Sequence, residues 1–245
     1  MEKKHIVEFL SEIGVNLSDI PLGDFDTLGE FTAKKSRDKN SPLYNSVGSF
    51  FRPNYERGIL IYYLIKKFRI QSYLEIGFGR GYSSVCAAKA MIDAGINGTV
   101  TTIDPALSEE LLSGIAQNVP HEYLRNIRFL KQDSAVAVPA INEKFDFIYV
   151  DGDHRYDAVM KDWQNCRNKF NKFILFDDYH MPTKTERDID CATVIDSIEG
   201  LDKQLLIMDR RIFFDDRRVA DADIDYGQVL ITNPFFNMKD ALGDW

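Results

Sequence analysis

Hydrophobic residues recur along most of the chain in blocks that predict strands alternating with helices. Near the start, Ile6, Leu10 and Ile13 lie at helical spacing and predict a short amphipathic helix that ends at Gly14. The first strand is predicted at residues 73–76. Six further strands are predicted at 99–103, 127–130, 145–150, 172–176, 204–208 and 228–232, and helices at 61–68, 85–95, 111–117, 135–141, 156–170 and 188–197.

This alternation predicts a doubly wound α/β domain. Strands that alternate with helices form a parallel sheet with both faces covered, and ligands bind beyond the carboxyl ends of its strands. We expect a mostly parallel, seven-stranded sheet within residues 54–245. Residues 1–53 would form an N-terminal helical and irregular extension. The sequence leaves open whether that extension is a lid, an oligomerisation arm or simply packed chain.

Composition narrows the class of partner. A net charge of −8 over 245 residues disfavours non-specific attraction to nucleic acid or an anionic membrane. The balance fits a soluble enzyme with a small-molecule substrate. Cys86, Cys166 and Cys191 are far apart, with no CxxC pair, so neither a disulfide framework nor a zinc knuckle is indicated. Without an apolar secretory signal or a long apolar run, we expect a protein of the reducing cytoplasm.

A glycine-rich turn follows the first predicted strand, in the segment Glu75-Ile-Gly77-Phe-Gly79-Arg-Gly81. Glycines at alternate positions let the backbone pass close to a ligand because no Cβ blocks the approach. The ligand is either a dinucleotide or S-adenosylmethionine (SAM). A dinucleotide turn needs a small residue where this chain has Tyr82, and the carboxylate of Glu75 suits a ligand with an ammonium group. Both observations favour SAM.

The pattern E-x-G-x-G-x-G resembles motif I of the class I SAM-dependent methyltransferases, which have a Rossmann-like fold. The resemblance implies that Glu75 receives the SAM ammonium group. Asp104, at the end of the second strand, suits the ribose hydroxyls, as it would in a dinucleotide site. Asp133 is either an adenine contact, a helix N-cap or both. The cofactor contacts expected in all are Glu75, Gly77, Phe78, Gly79, Gly81, Tyr82, Ser83, Asp104, Asp133, Ser134 and Asp151.

Two acidic blocks follow the fourth and fifth strands, Asp151-Gly-Asp153-His154 and Asp177-Asp178-Tyr-His. Carboxylates that meet at one sheet edge repel each other unless protons or a cation compensate, and oxygen ligands favour Mg²⁺. Asp177 and Asp178 are consecutive, so on a regular strand they would point to opposite faces. Only a backbone that leaves the pleat at this point brings both to one ion.

The same blocks resemble a group of small class I O-methyltransferases. The group includes divalent-cation-dependent enzymes that methylate sugar hydroxyls in macrolide and aminocoumarin biosynthesis. The resemblance implies that Asp151, Asp177 and Asp178 bind the metal and that Asp153 is the base. Independently of the resemblance, the side chains of His154 and His180 suit either a base or a hydrogen bond to one of the metal-binding carboxylates. The chain departs from the pattern before the fifth strand, where Asn-Lys-Phe-Asn replaces Pro-Gly-Gly.

We therefore expect SAM-dependent O-methylation of a small hydroxylated molecule, assisted by Mg²⁺ or another divalent cation, with a sugar or sugar-containing metabolite as acceptor. A metal-independent N- or C-methyltransferase and a non-catalytic SAM-binding protein remain alternatives. Homo-oligomers fit the sequence as well as a monomer does, and neither nucleic acid nor a membrane is expected as a partner.

Overall fold

A computed structural model describes residues 1–21, 24–25, 55–117, 119–179, 190–207 and 227–242. Eight strands form one sheet in the order β1-β7-β8-β6-β5-β2-β3-β4. Their bounds are β1 Glu2–His5, β2 Ser72–Ile76, β3 Thr99–Ile103, β4 Ile127–Leu130, β5 Phe145–Val150, β6 Phe170–Tyr179, β7 Asp202–Ile207 and β8 Gly227–Thr232. Strand β8 runs antiparallel to both of its neighbours, and the other pairs are parallel. The predicted α/β sheet is confirmed.

Helices cover both faces of the sheet. They are α1 Ile6–Glu12, α2 Tyr55–Lys67, α3 Tyr82–Asp93, α4 Glu109–Ala116, α5 His121–Arg125, α6 Ser134–Ala140, α7 Tyr156–Cys166, α8 Cys191–Ser197 and α9 Met238–Leu242. One apolar core joins α1, α2 and α3 to one face of the sheet, and a second core joins α6, α7 and α8 to the other. The central strands are buried on both sides, which explains their nearly continuous apolar sequence.

The sheet has one strand more than the sequence predicted. Strand β1 is the sequence Glu-Lys-Lys-His, and it pairs with β7 at one edge of the sheet. A short, charged strand gives no apolar alternation to detect, although charge is common on edge strands because it discourages aggregation. Helix α1 follows at once and ends before Gly14, which has a φ of 73°, as predicted. The first residues therefore belong to the same sheet and core as the rest.

Strand β6 also extends beyond its predicted end. The sequence predicted residues 172–176, whereas the strand continues to Tyr179 with a register shift after Phe176. Asp178 lies within this irregular stretch and has a φ of 55°, in the left-handed region. The backbone therefore leaves the regular pleat at Asp178, which is the condition that the sequence set for Asp177 and Asp178 to reach the same site.

None of the described helices is long and apolar enough to span a membrane.

Candidate active site

The glycine turn, residues 77–81, lies at the carboxyl end of β2. Gly77 has a φ of 91°, and a Cβ there would overlap the backbone carbonyl of Asp151 on the neighbouring strand. Only glycine lets these two strand ends approach so closely. Gly79 has a φ of 53° and open space where a Cβ would be. The turn thus presents exposed backbone at the sheet edge where ligands bind.

Asp104 holds this turn in place. Its Oδ2 atom accepts hydrogen bonds from the backbone N–H groups of Phe78, at 3.0 Å, and Gly79, at 3.1 Å. Its Oδ1 atom accepts one from Ala106 N at 2.7 Å. The residue predicted to bind a ribose therefore also fixes the conformation of the glycine turn. The half-buried carboxylate lies at the end of β3, where the sequence predicted it.

Glu75 is fully buried beneath the turn. Its carboxylate accepts hydrogen bonds from the hydroxyls of Ser83 and Ser84, and from Thr102 Oγ1 at 3.0 Å. Burial raises the pKa of Glu75 to about 7, although the three hydroxyls oppose this shift. The predicted SAM contact is therefore a carboxylate that titrates near neutral pH and is already held by three donors.

Four other predicted cofactor residues pack inside the protein. The ring of Phe78 contacts Phe129 edge to face, with 5.4 Å between centroids. Tyr82 is buried at the start of α3, where its ring fills the space beside Gly58 of α2. The hydroxyl of Ser83 donates a hydrogen bond to the carboxylate of Glu75. Gly81, buried and in the left-handed region, begins the helix beside Phe78.

Asp133 is the N-cap of α6, since its side chain accepts a hydrogen bond from Ala135 N at 2.8 Å. Although it caps the helix, the Asp133 side chain remains exposed to solvent. Ser134 donates a hydrogen bond of 2.6 Å to Asp162 on α7. Burial raises the pKa of Asp162 to about 6.

The acidic cluster consists of Asp151, Asp177 and Asp178, at the carboxyl ends of β5 and β6. Asp177 and Asp178 are 1% and 6% exposed, which makes an uncompensated charge at either position costly. Burial and the charges of Asp177 and Asp178 raise the pKa of Asp151 well above its usual range, although a nearby arginine opposes the shift. The three predicted metal ligands are thus neighbours in space.

That arginine is Arg57, from the first turn of α2. Its guanidinium pairs with Asp151 Oδ2 at 2.7 Å and, through Nη2, with Asp177 Oδ2. It also lies over the ring of Tyr149, at 5.8 Å from the centroid, and Tyr149 in turn donates to Asp151 Oδ2 at 3.2 Å. Burial lowers the pKa of Arg57, but the carboxylates outweigh it and hold that pKa above its usual value.

His154 points into the cluster from the opposite side. Its Nε2 atom is 3.3 Å from Asp178 Oδ2 and 3.8 Å from Asp151 Oδ1. On the other side of the ring, Nδ1 lies 3.6 Å from the Sγ atom of Cys191. The backbone carbonyl of His154 accepts a hydrogen bond from Asp190 N at 2.9 Å, which anchors the residue to the segment before α8. The imidazole is therefore held with one nitrogen toward the carboxylates.

Asp153, the base favoured by the sequence, is not part of the converging group of Asp151, His154 and Asp178. It is paired with Arg155, whose Nε atom lies 2.9 Å from Asp153 Oδ2. The Arg155 hydrogen bonds lower the pKa of Asp153, which weakens it as a proton acceptor. His180, the third candidate base, lies outside the described residues.

Residues 74–179, which contain the glycine turn and both acidic blocks, match the family described as a methyltransferase domain. This segment, a little under half of the chain, is similar to a methyltransferase domain. The motif resemblance found in the sequence is thereby confirmed. No curated protein sequence matches the chain significantly.

Several solved structures share the fold of this chain. The O-methyltransferase TomG of Streptomyces achromogenes, involved in tomaymycin synthesis and solved with SAM, matches with a TM-score of 0.57 and 13% identity, over 92% of this chain and 94% of its own. A Podospora anserina methyltransferase bound to S-adenosylhomocysteine (SAH) matches with 0.55 and 16%, over 84% and 87%. An O-methyltransferase of Bacillus cereus, also with SAH, matches with 0.53 and 15%, over 92% and 96%. At such low identity the likeness shows the shared fold alone.

The donor set at the acidic cluster fits a divalent cation. Asp151, His154 and Asp178 each place one ligand atom within 4.8 Å of the others. Asp177 is different, because Arg57 and Gln228 occupy its oxygens. The structure therefore groups two of the three predicted aspartates with a histidine, at spacing that a hard divalent cation and its waters can bridge.

Sequence reasoning missed Arg57, Tyr149 and Gln228. Arg57 lies 94 residues from its partner Asp151, so no local pattern indicates that the two residues meet. A weak signal was available for Arg57 alone, since it precedes an almost entirely apolar helical stretch. Such a charge must find a buried partner or sit at the end of the helix.

Proposed function

We propose that the protein transfers the methyl group of SAM to a hydroxyl of a small molecule, and that this molecule is a sugar or a sugar-containing metabolite. The observation that carries the proposal is the contact between the two halves of the site. Gly77 of the glycine turn abuts the backbone of Asp151, so a cofactor bound over the turn would lie beside the acidic cluster.

The protein needs to do two things: align the acceptor oxygen with the methyl group of SAM, and remove the proton of the acceptor hydroxyl. The sulfonium of SAM is already a good leaving group, so the acceptor oxygen attacks the methyl carbon as the carbon–sulfur bond breaks. SAH leaves with the electron pair on sulfur. The hydroxyl proton must pass to a base, and a correctly placed base contributes roughly 10²–10⁴-fold to the rate.

His154 is the base that the geometry favours. Its imidazole nitrogen faces Asp151 and Asp178, and a positive charge on the ring after proton transfer would be stabilised by both carboxylates. Asp153 is closer to solvent and already paired with Arg155. We therefore assign His154 the role that the sequence gave first to Asp153.

A divalent cation, Mg²⁺ in the simplest case, fits the site beside this base. Asp151 and Asp178 would hold it, because their oxygens converge with His154. When bound, such an ion would act as a Lewis acid: it would bind a pair of acceptor oxygens and make the attacked hydroxyl more acidic. Vicinal hydroxyls of a sugar offer such a pair of oxygens.

The test compares His154→Gln with Asp153→Asn. Purified variants receive SAM, Mg²⁺ and a panel of glycosides with vicinal hydroxyls, and SAH is quantified by mass spectrometry. We expect His154→Gln to lower kcat about 10²-fold or more while SAM binding is retained. Asp153→Asn should stay within a few-fold of the parent. A larger loss in Asp153→Asn than in His154→Gln would return the role of base to Asp153.

One observation favours an alternative without a metal. Arg57 already places a positive charge between Asp151 and Asp177, so part of the cluster is compensated by the chain itself. In that case the carboxylates would position the acceptor, including an amine, directly. Methyl transfer that is unchanged by EDTA would favour this alternative, whereas loss in EDTA and recovery with Mg²⁺ would support the cation.

A further inference from the structure

The two oxygens of Asp151 face different partners. Oδ2 receives Arg57 Nη1 at 2.7 Å and the Tyr149 hydroxyl at 3.2 Å. Oδ1 lies on the side of His154, at 3.8 Å from its Nε2 atom. The carboxylate therefore separates an arginine side of the cluster from a histidine side.

Asp177 belongs entirely to the arginine side. Its Oδ2 atom pairs with Arg57 Nη2, and its Oδ1 atom accepts a hydrogen bond of 3.1 Å from Gln228 on β8. The residue is 1% exposed. A cation at Asp177 would compete with both of these buried interactions, and breaking either one is costly because it leaves a charge or an amide unpaired.

Asp178 belongs to the histidine side. Its left-handed φ of 55° interrupts the alternation that β6 would otherwise follow. Its Oδ2 atom lies 3.3 Å from His154 Nε2. Two consecutive aspartates thus reach the same region of the site and serve different partners there.

The packing of α2 fixes where the guanidinium lies. Gly58, the next residue, lies directly against the ring of Tyr82, and a side chain at this position would overlap it. This close approach of α2 to α3 brings the first turn of α2 to the ends of β5 and β6. Arg57 reaches the cluster because its neighbour has no side chain.

We infer that Arg57 is a positioning residue that withholds Asp177 from the divalent cation and leaves Asp151 and Asp178 to bind it. The inference rests on the proposed function, since it concerns the cation of that same site. The guanidinium pairs with Asp151 and Asp177, whereas Asp178 and the other oxygen of Asp151 face His154, with which they form a group that could hold a metal ion. Two carboxylates, with water or substrate oxygens, are also the protein ligands that Mg²⁺ commonly takes.

The experiment measures Mn²⁺ binding to the full chain by calorimetry and by the electron paramagnetic resonance of free Mn²⁺. The key variant is the double substitution Arg57→Met/Asp177→Asn, which removes the ion pair as a unit and keeps the net charge. We expect its Mn²⁺ affinity to remain within about threefold of the parent, whereas Asp178→Asn should lower affinity more than about tenfold. A double variant that loses Mn²⁺ as fully as Asp178→Asn would overturn the inference.

Single substitutions at Arg57 separate positioning from mere structural support. Arg57→Met frees Asp177 and removes a positive charge, so Mn²⁺ should bind about tenfold more tightly. Arg57→Lys restores the charge and should return the affinity toward the parent value. A purely structural arginine would give weaker Mn²⁺ binding in the Met variant, together with a lower Tm.

The proposed function is assayed separately in the same samples. If the parent binds SAM and makes SAH but takes up no Mn²⁺, the inference about Arg57 fails and methyl transfer stands. If the parent binds Mn²⁺ as expected but makes no SAH with any acceptor, the proposed function fails and the inference about the ligand set stands.

Discussion

The buried carboxylate beneath the glycine turn should make this protein less stable as the pH rises through neutrality. Glu75 is fully buried, and its pKa is raised to about 7 from a usual value of 4.5. Between these values the folded state holds a proton that the unfolded state releases. Its contribution to stability is therefore complete below about pH 4.5 and is lost as the pH rises through about 7.

The magnitude follows from the shift. One pKa unit is worth about 1.4 kcal/mol, so a rise from 4.5 to about 7 corresponds to about 3 kcal/mol. Glu75→Gln removes the titrating group and keeps an oxygen that can accept hydrogen bonds from Ser83, Ser84 or Thr102. Between pH 4.5 and about pH 7, the free energy of unfolding should therefore fall by about 3 kcal/mol less in the variant than in the parent.

Urea unfolding without SAM, followed by tryptophan fluorescence from about pH 5 to about pH 8, measures this difference. Glu109→Gln is the matched control, because Glu109 is an exposed glutamate in the first turn of α4. It should leave the pH dependence unchanged. Equal pH dependence in Glu75→Gln and the parent would refute the account of Glu75 as a buried, proton-holding carboxylate.

Two further predictions concern packing and a second buried acid. Gly58→Ala should lower stability by about 1–3 kcal/mol in urea unfolding, because the new methyl group overlaps the ring of Tyr82; an unchanged midpoint would mean that α2 can shift freely. The protonated Asp162 contributes to the stability of the fold below its usual pKa of 3.8, and this contribution is lost as the pH rises through about 6. Asp162→Asn should remove this pH-dependent part of the stability. Its size is about 3 kcal/mol, and an unchanged pH dependence between those values would contradict it.

The order of elements and the position of the site were open to prediction from the sequence. Apolar periodicity located the central strands, and the glycine turn and acidic blocks had to meet because the carboxyl ends of parallel strands share one edge. Local chemistry also allowed a sharper prediction for Asp153. Arg155 stands only two residues further on, close enough to bind that carboxylate, as it does in the structure.

Other features depended on contacts that no local pattern encodes. Strand β1 is charged and pairs only at the sheet edge, so its partner β7 decides its structure. Asp177 and Asp178 have different partners for two reasons. Asp178 has a left-handed conformation inside β6, and Asp177 pairs with Arg57, from a helix more than a hundred residues earlier. Neither could be inferred before the tertiary packing was known.

The central claim is that a methyl group passes from SAM to a hydroxyl oxygen beside the acidic cluster. The direct measurement is a reaction with SAM labelled with ¹³C in its methyl group, analysed by ¹H–¹³C NMR of the product and by SAH quantification. Glycosides with vicinal hydroxyls serve as acceptors, with a primary amine as comparator. We predict label on oxygen, with SAH formed in equal amount. Label on nitrogen or carbon, or SAM binding without any SAH, would contradict the account.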